Sequence, residues 1–471
     1  MDLKKKLNKI ENVDVIFLSC FDHNEGTNNH GLFQMFEFFK QNVDTKALFL
    51  STMQGIYKND IDVFDIGYLG ESLKLAHQIN STFASFVKDS PHLWMNKFSN
   101  KEEFATYASK VLIQNLPNHK FIALSDKVDI DLLVLEKVLK HFKSKVIILS
   151  AASNTWTGYC SYPDEFNCDK YKTKQGCCSP CPAINNKSEI VARNKVDNDF
   201  VKTAFNDTRD FVNRNKGSVL LNVGSSYSLQ EANESFLFKD VEKCLITLKN
   251  SYLPDSFEDL WAIKKENRNK LLNNLQKNNN KDLTKNVKFI VMWSAHDIVI
   301  KRKGIDYFIN SLMILKYFLK FQRLQEVLLI ISCKLSDDKA VESLKELGFP
   351  IIFTNHIDKK NYDFLLSSSD VYCSTTLSDA GPRTIFESAG VGTPVISFDK
   401  CIASDLINDN NGALIPTYDV KKMAEEMYRF ANYSDDERKE ISKNLYDDYN
   451  SLMDTNRLKS KWETFLKNHA I

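Results

Sequence analysis

The stretch from Asp370 to Asp399, DVYCSTTLSDAGPRTIFESAGVGTPVISFD, leaves a chain few folding choices. DVYCSTT is a short apolar run suited to a strand buried on both faces. LSDAGPRT is punctuated by Gly381 and Pro382 and reads as a turn. IFESAGVG places Ile385, Phe386 and Ala389 at helical spacing and stops at Gly392. PVISF is a second strand. In open parallel sheets, ligands bind where strand ends meet helix N-termini. There the unpaired N–H groups and the helix dipole favour an anion such as phosphate. Asp379 falls in that turn and Glu387 in the helix that follows. The residues alone point to an anion or sugar site with two carboxylates, or to a plain strand–helix unit.

The same alternation runs through the rest of the chain. VDVIFLSC (13–20), a helix LFQMFEFFK and a strand TKALFL open it as a βαβ unit. Helical patterns follow at about 70–88 and 101–116. KFIALS (120–125) and KVIILS (145–150) flank the helix DIDLLVLEKVLKHF. SVLLNV (218–223) and KCLITL (243–248) complete the first half. After a charged, Asn-rich linker and helix at about 255–285 come KFIVMWS, EVLLIIS, PIIFTN, DVYCST and PVISF. Strands alternating with helices predict doubly wound parallel sheets. A chain of 471 residues is too long for one ordinary core, so more than one domain is expected. The tail LKSKWETFLKNHAI sets Leu458, Trp462, Phe465 and Leu466 on one helical face.

Asp-x-x-Pro, then Glu-Ser, then Gly-Thr-Pro-Val, with SSSDVYCSTTLSD before and Asn411-Gly412 and DVKKMAEEMYRF after, resembles the donor segment of GT-B glycosyltransferases of family 4. The likeness spans most of residues 287–432. It is greatest to the bacterial capsule, exopolysaccharide and lipopolysaccharide subgroup. The resemblance implies an α/β GT-B fold, two Rossmann-like domains facing across a cleft. Residues 1–250 would be the acceptor-side domain, 251–455 the nucleotide-sugar domain, and 456–471 a helix crossing back to the first.

The resemblance also assigns roles. A nucleotide-sugar leaves behind a diphosphate whose developing charge must be held. Arg302 and Lys303, in SAHDIVIKRKGIDYFINSL, are the candidate cations, the first by forked hydrogen bonds and the second as a point charge. A solvated basic run is the bland alternative. Asp379 would accept from hydroxyls of the transferred sugar and Glu387 from the ribose hydroxyls. Gly381, Pro382, Arg383 and Thr384 would hold phosphate at the helix start, with Arg383 reaching the same anion. Gly26 and Thr27, with Asn28, sit where relatives carry a Gly-rich donor loop, though the usual double glycine is missing. The family retains anomeric configuration and needs no metal for the step, so no catalytic cofactor is expected.

Residues 155–182 crowd Cys160, Cys168, Cys177, Cys178 and Cys181 together. Cys178-x-x-Cys181 has zinc-knuckle spacing, and with Cys160 and Cys168 it could form a structural zinc site. Disulfides and free thiols remain open alternatives. The segment resembles the Cys-rich insertion of the polysaccharide subgroup. Just before it, Ala151 and Ala152 stand where that subgroup has His-Asp, and Ser125 and Asp126 where a second histidine is common. That departure opens a second reading, a GT-B protein that binds or stabilises another transferase without catalysing.

Net charge is +1, which gives no reason to expect a nucleic-acid partner. No apolar run reaches bilayer-spanning length. The opening MDLKKKLNKI lacks the apolar core of a secretory signal. Leu3, Leu7 and Ile10 make either a solvated helix or an amphipathic turn that touches a membrane surface. Ten cysteines without a secretory signal favour a reducing compartment. The expectation is a cytoplasmic retaining glycosyltransferase at the inner face of a membrane. It would move a sugar from a nucleotide-diphosphate donor such as a UDP-sugar to a glycan or lipid-linked acceptor.

Overall fold

The computed structural model describes residues 12–19, 27–51, 63–65, 101–125, 130–150, 153–158, 160, 163, 168–179, 181, 200–247, 256–277, 286–355, 357–379 and 383–470. The expected helix at 70–88, the amphipathic opening residues, Gly26, Asp126, Ala151, Ala152, Gly381 and Pro382 lie outside them. The chain divides into two compact units, residues 1–248 with 455–471, and residues 249–454.

The first unit is built on a parallel sheet. Its strands are β1 (Asn12–Ser19), β2 (Ala47–Ser51), β3 (Val63–Asp65), β4 (Asn118–Leu124), β5 (Lys145–Ser150), β6 (Val219–Val223) and β7 (Glu242–Leu245), in the order β3-β2-β1-β4-β5-β6-β7. Helices α1 (Thr27–Asn42), α2 (Lys101–Asn115) and α3 (Leu132–Phe142) connect the early strands. A single turn α4 (Asn154–Thr157), then α5 (Phe200–Arg214) and α6 (Ser226–Glu234), follow β5 and β6. Asp131 caps α3 by accepting from the backbone N–H groups of Leu133 and Val134.

The second unit begins with α7 (Phe257–Lys277). Its strands are β8 (Phe289–Asp297), β9 (Val327–Lys334), β10 (Ile351–Thr354), β11 (Val371–Ser374), β12 (Val395–Phe398) and β13 (Gly412–Ile415). They lie parallel in the order β10-β9-β8-β11-β12-β13. Between them run α8 (Ile305–Phe318), α9 (Asp338–Glu346), α10 (Lys359–Ser368), α11 (Arg383–Gly390) and the short α12 (Ala403–Leu406). The unit closes with α13 (Val420–Ala431) and α14 (Asp435–Leu452). A capping box between Ser434 and Glu437 starts α14.

Both sheets have helices on both faces, so their central strands are apolar without alternation. Ile290, Val291 and Met292 of β8 and Leu328 to Ile331 of β9 are fully buried. Each such side chain contributes roughly 1.5–3 kcal/mol on leaving water. These side chains divide between two separate apolar layers, one on each face of the sheet.

The doubly wound reading therefore holds, with two strands beyond those expected. GALI forms β13 and Val63–Asp65 forms β3. Both are short, and Gly412 weakens the β-pattern of the first. The last helix, α15 (Thr455–His469), belongs to the first unit. Leu458, Trp462, Phe465 and Leu466 are buried there with Phe17, Phe36 and Phe39, and Trp462 meets Phe39 edge-on at 5.0 Å.

Strand order decides where a ligand fits. In the second sheet, connections run outward in opposite directions from β8 and from β11. The carboxyl ends of those two adjacent strands form the topological switch point, where open α/β sheets leave a crevice.

Candidate functional site

Both halves of the switch point carry residues singled out in the sequence. After β8 the chain makes a short 3₁₀ turn, Lys301–Lys303, ended by Gly304 at φ 71°. A Cβ at Gly304 would lie 2.2 Å from the Thr375 carbonyl oxygen, so no other residue fits there unchanged. That close approach ties the turn to the segment leaving β11. The Thr375 hydroxyl donates to the Lys303 carbonyl at 2.8 Å and accepts from Trp293 Nε1 at 3.0 Å. The Leu377 N–H donates to the Arg302 carbonyl at 2.8 Å. Trp293 is itself stacked on Phe308 of α8. The basic turn is a rigid, backbone-held element and not a solvated run.

Its two cations converge on one oxygen. Lys303 Nζ lies 2.7 Å and Arg302 Nη1 3.0 Å from Asp379 Oδ2. The three side chains are only 15%, 10% and 19% exposed. Charge-assisted bonds of this length are stronger than neutral ones, and partial burial reduces their screening. Two cations against one carboxylate leave the cluster with an excess positive charge. Helix α11 begins at Arg383, four residues beyond Asp379 in the chain.

Glu387 lies on α11 with its side chain 13% exposed. Lys359 Nζ is 4.0 Å from its Oε1. Burial pushes the Glu387 carboxyl above the ordinary glutamate range, and Lys359 and Arg383 only partly oppose this. Beneath it lies a hydroxyl cluster that sequence reading missed. Ser294 Oγ, near the end of β8, bonds Tyr362 Oη at 3.0 Å and Tyr372 Oη at 3.1 Å. Tyr372 also hydrogen-bonds the Thr384 side chain. Burial raises both phenols, Tyr372 to about 12, and the Glu387 charge adds to each shift. The signal was present: Ser294 and Tyr372 are hydroxyl-bearing residues that follow or interrupt apolar runs in two adjacent central strands.

The opposite ends of β8 and β11 hold a second ionic cluster. Asp370 Oδ2 accepts from Arg268 Nη1 at 2.5 Å and from the Ile290 N–H at 2.6 Å, while Oδ1 accepts from Arg438 Nη1 at 3.2 Å. Both arginines also donate to the Lys288 carbonyl, at 2.9 and 3.0 Å. This cluster joins α7 and α14 to the sheet.

The structure thus brings Arg302, Lys303 and Asp379 into one ion cluster and sets Glu387 and Thr384 on the neighbouring helix. Thr27 begins α1 in the first unit, and its side chain lies outside the described residues. The cysteine segment packs as part of an apolar core. Cys177 and Cys181 are buried with Trp156, Tyr171 and Phe205, and Cys177 Sγ contacts the Thr157 carbonyl at 3.4 Å. A Cβ at Gly176 would meet the Phe205 ring at 2.2 Å, which shows how closely the segment wraps it. Among the described residues Cys160, Cys168, Cys178 and Cys181 are in no disulfide. Among the described residues no three His, Cys, Asp or Glu side chains gather as metal ligands. No described helix is long and apolar enough to cross a membrane.

Comparison with known proteins agrees with the architecture. Residues 276–448, inside the second unit, match the family model described as glycosyl transferases group 1. No curated protein matches the chain by sequence. HepE from Anabaena, solved with UDP and glucose, is 13% identical with a TM-score of 0.56, the alignment covering 97% of this chain and 100% of that one. Sucrose-phosphate synthase from Thermosynechococcus elongatus is 12% identical with a TM-score of 0.58, covering 97% and 98%. An α,α-trehalose-phosphate synthase from Burkholderia xenovorans, in complex with glucose-6-phosphate, is 10% identical with a TM-score of 0.56, covering 97% and 99%. The chain spans only 59% and 61% of two longer solved glycosyltransferase-type chains that it also matches. These likenesses give the fold, the two-sheet GT-B type of α/β protein.

Proposed function

We propose that this chain transfers a sugar from a nucleotide-diphosphate donor to a glycan or lipid-linked acceptor, retaining anomeric configuration. The observation that carries the reading is the convergence of Arg302 and Lys303 on Asp379 at the switch point, with Glu387 on α11, the helix that follows Asp379 in the chain. The match of residues 276–448 to glycosyl transferases group 1 supports it. UDP in the HepE structure makes a UDP-sugar the first donor to test.

In this reading the donor diphosphate lies against Arg302, Lys303 and the first N–H groups of α11. The cations gain most as the sugar–phosphate bond breaks and charge collects on the leaving oxygens. Glu387 accepts from the ribose hydroxyls, which supply the donors that its buried carboxylate calls for. Asp379 accepts from hydroxyls of the transferred sugar. The acceptor attacks from the face the diphosphate leaves, and a leaving oxygen takes its proton, so no side-chain base and no metal is required. The acceptor class, a surface polysaccharide or lipopolysaccharide precursor at the inner face of a membrane, rests on the resemblance of the cysteine segment.

A second reading, a non-catalytic GT-B partner of another transferase, is favoured by Ala151 and Ala152 in place of His-Asp. The test is incubation of the purified protein with UDP-, GDP-, ADP- and CMP-sugars and a panel of glycan acceptors, with products read by NMR. Transfer with the donor's anomeric configuration supports the first reading. Donor binding without transfer or hydrolysis supports the second, and an inverted product refutes the same-face mechanism.

A further inference from the structure

In the Arg302–Lys303–Asp379 cluster both cations already face a carboxylate. Both cations point at a single oxygen, Asp379 Oδ2. Under the reading just given, that oxygen stands on the two groups assigned to phosphate. The turn bearing the cations does not depend on Asp379 for its shape. Its backbone is held by the Thr375 hydroxyl, the Leu377 N–H and the close contact at Gly304. Its side chains, however, are mostly buried and would be costly to leave without an anion. The cluster therefore needs a negative partner at all times, while its scaffold does not require that the partner be Asp379.

Asp379 meets both cations at the carboxyl end of the sheet, at the switch point where open α/β sheets leave room for a ligand. A diphosphate carries more negative charge and more acceptor oxygens than one carboxylate, so it can displace the Asp379 carboxylate from both cations.

We infer that Asp379 is an exchangeable counter-ion that holds Arg302 and Lys303 in place in the empty protein and yields them to the donor diphosphate, its freed carboxylate then accepting from the sugar. This rests on the donor-site reading above. It implies that Asp379 opposes binding of a bare diphosphate and assists binding of a sugar-bearing one. Specificity for the complete donor over its spent nucleotide would be built into one side chain.

The test titrates wild type and Asp379→Asn with inorganic pyrophosphate, UDP and UDP-glucose, alongside unfolding midpoints. Removing a competing charge-assisted bond should tighten pyrophosphate and UDP by about tenfold in the variant. The advantage of UDP-glucose over UDP should shrink by a similar factor, and pyrophosphate should raise the midpoint of the variant more than that of wild type. Equal or weaker binding of both bare anions by the variant overturns the exchange. If UDP binds both proteins equally, the exchange falls and the donor reading stands. If pyrophosphate tightens but UDP binds neither protein, the exchange stands and the nucleotide reading falls. No binding of any of the three overturns the exchange. A crystal structure of the wild type with UDP needs no variant to fold. It should show phosphate oxygens on Lys303 and Arg302 with Asp379 withdrawn; both contacts to Asp379 persisting would refute the proposal.

Discussion

The two ends of β8 and β11 carry the same ingredients, one aspartate and two cations, put to different uses. At the amino end, Asp370 binds two arginines whose spare N–H groups reach a backbone carbonyl, and one carboxylate oxygen accepts a strand N–H. Arg268 comes from α7 and Arg438 from α14, so the cluster fastens two helices to the sheet. At the carboxyl end, Arg302 and Lys303 come from one turn and meet Asp379 through one oxygen. Helix N-termini point toward that end, as the βα connection requires, and the sheet's connections diverge there. Charge count does not separate a fastening from a binding site. The end of the sheet at which the charges stand does.

The largest expected effect falls on the fastening. Asp370→Ala strands two arginines and should lower unfolding free energy by about 3–5 kcal/mol, read by denaturant titration. Asp379→Ala also strands two mostly buried cations, but there a bound anion can replace the carboxylate, so added pyrophosphate should restore most of the lost stability. Recovery by pyrophosphate at neither site, or at both, would erase the contrast between the two clusters.

Next in size is Lys303→Ala. It should lower turnover by about 10²–10³-fold while weakening donor binding less, because the contact strengthens as phosphate charge develops. Steady-state kinetics separate the two, and a loss confined to KM would make Lys303 a binding group only.

Glu387→Gln keeps shape and weakens a charge-assisted hydrogen bond to ribose. Donor affinity should fall on the order of 10- to 100-fold by calorimetric titration. The same variant carries the smallest effect, on stability. The folded-state pKa of Glu387 is raised, so its favourable contribution is present at acid pH and is lost as pH rises through that value. Removing the charge should therefore raise the unfolding midpoint at neutral pH, and the gain should fade toward zero as pH drops through the ordinary glutamate range. A gain that grows on acidification would show that Glu387 is stabilised as a carboxylate.

These contrasts also show what a reader of the sequence can and cannot see. The segment from Asp370 to Asp399 announced β11, α11 and β12 because apolar runs, a Gly-Pro turn and helical spacing are local signals. Arg302, Lys303, Asp379 and Glu387 were legible as chemistry by residue type and resemblance. The ion pairs among them were not, since 76 and 77 residues separate the partners and only strand adjacency brings them together. Arg268 reaches Asp370 across 102 residues and left no local trace. The cysteine spacing left zinc, disulfides and free thiols open, and its local pattern did not show that Cys177 and Cys181 are buried in one apolar cluster with Phe205.

The account's central claim is that the carboxyl-end cluster receives a donor nucleotide while the amino-end cluster serves the fold. Calorimetric titration of UDP into wild type, Lys303→Ala, Glu387→Gln and Arg438→Lys tests it most directly. The account expects binding by wild type, a clear loss in the first two variants, and near-wild-type affinity in Arg438→Lys despite a lower unfolding midpoint. UDP binding unchanged by Lys303→Ala and Glu387→Gln, or lost only in Arg438→Lys, would contradict it.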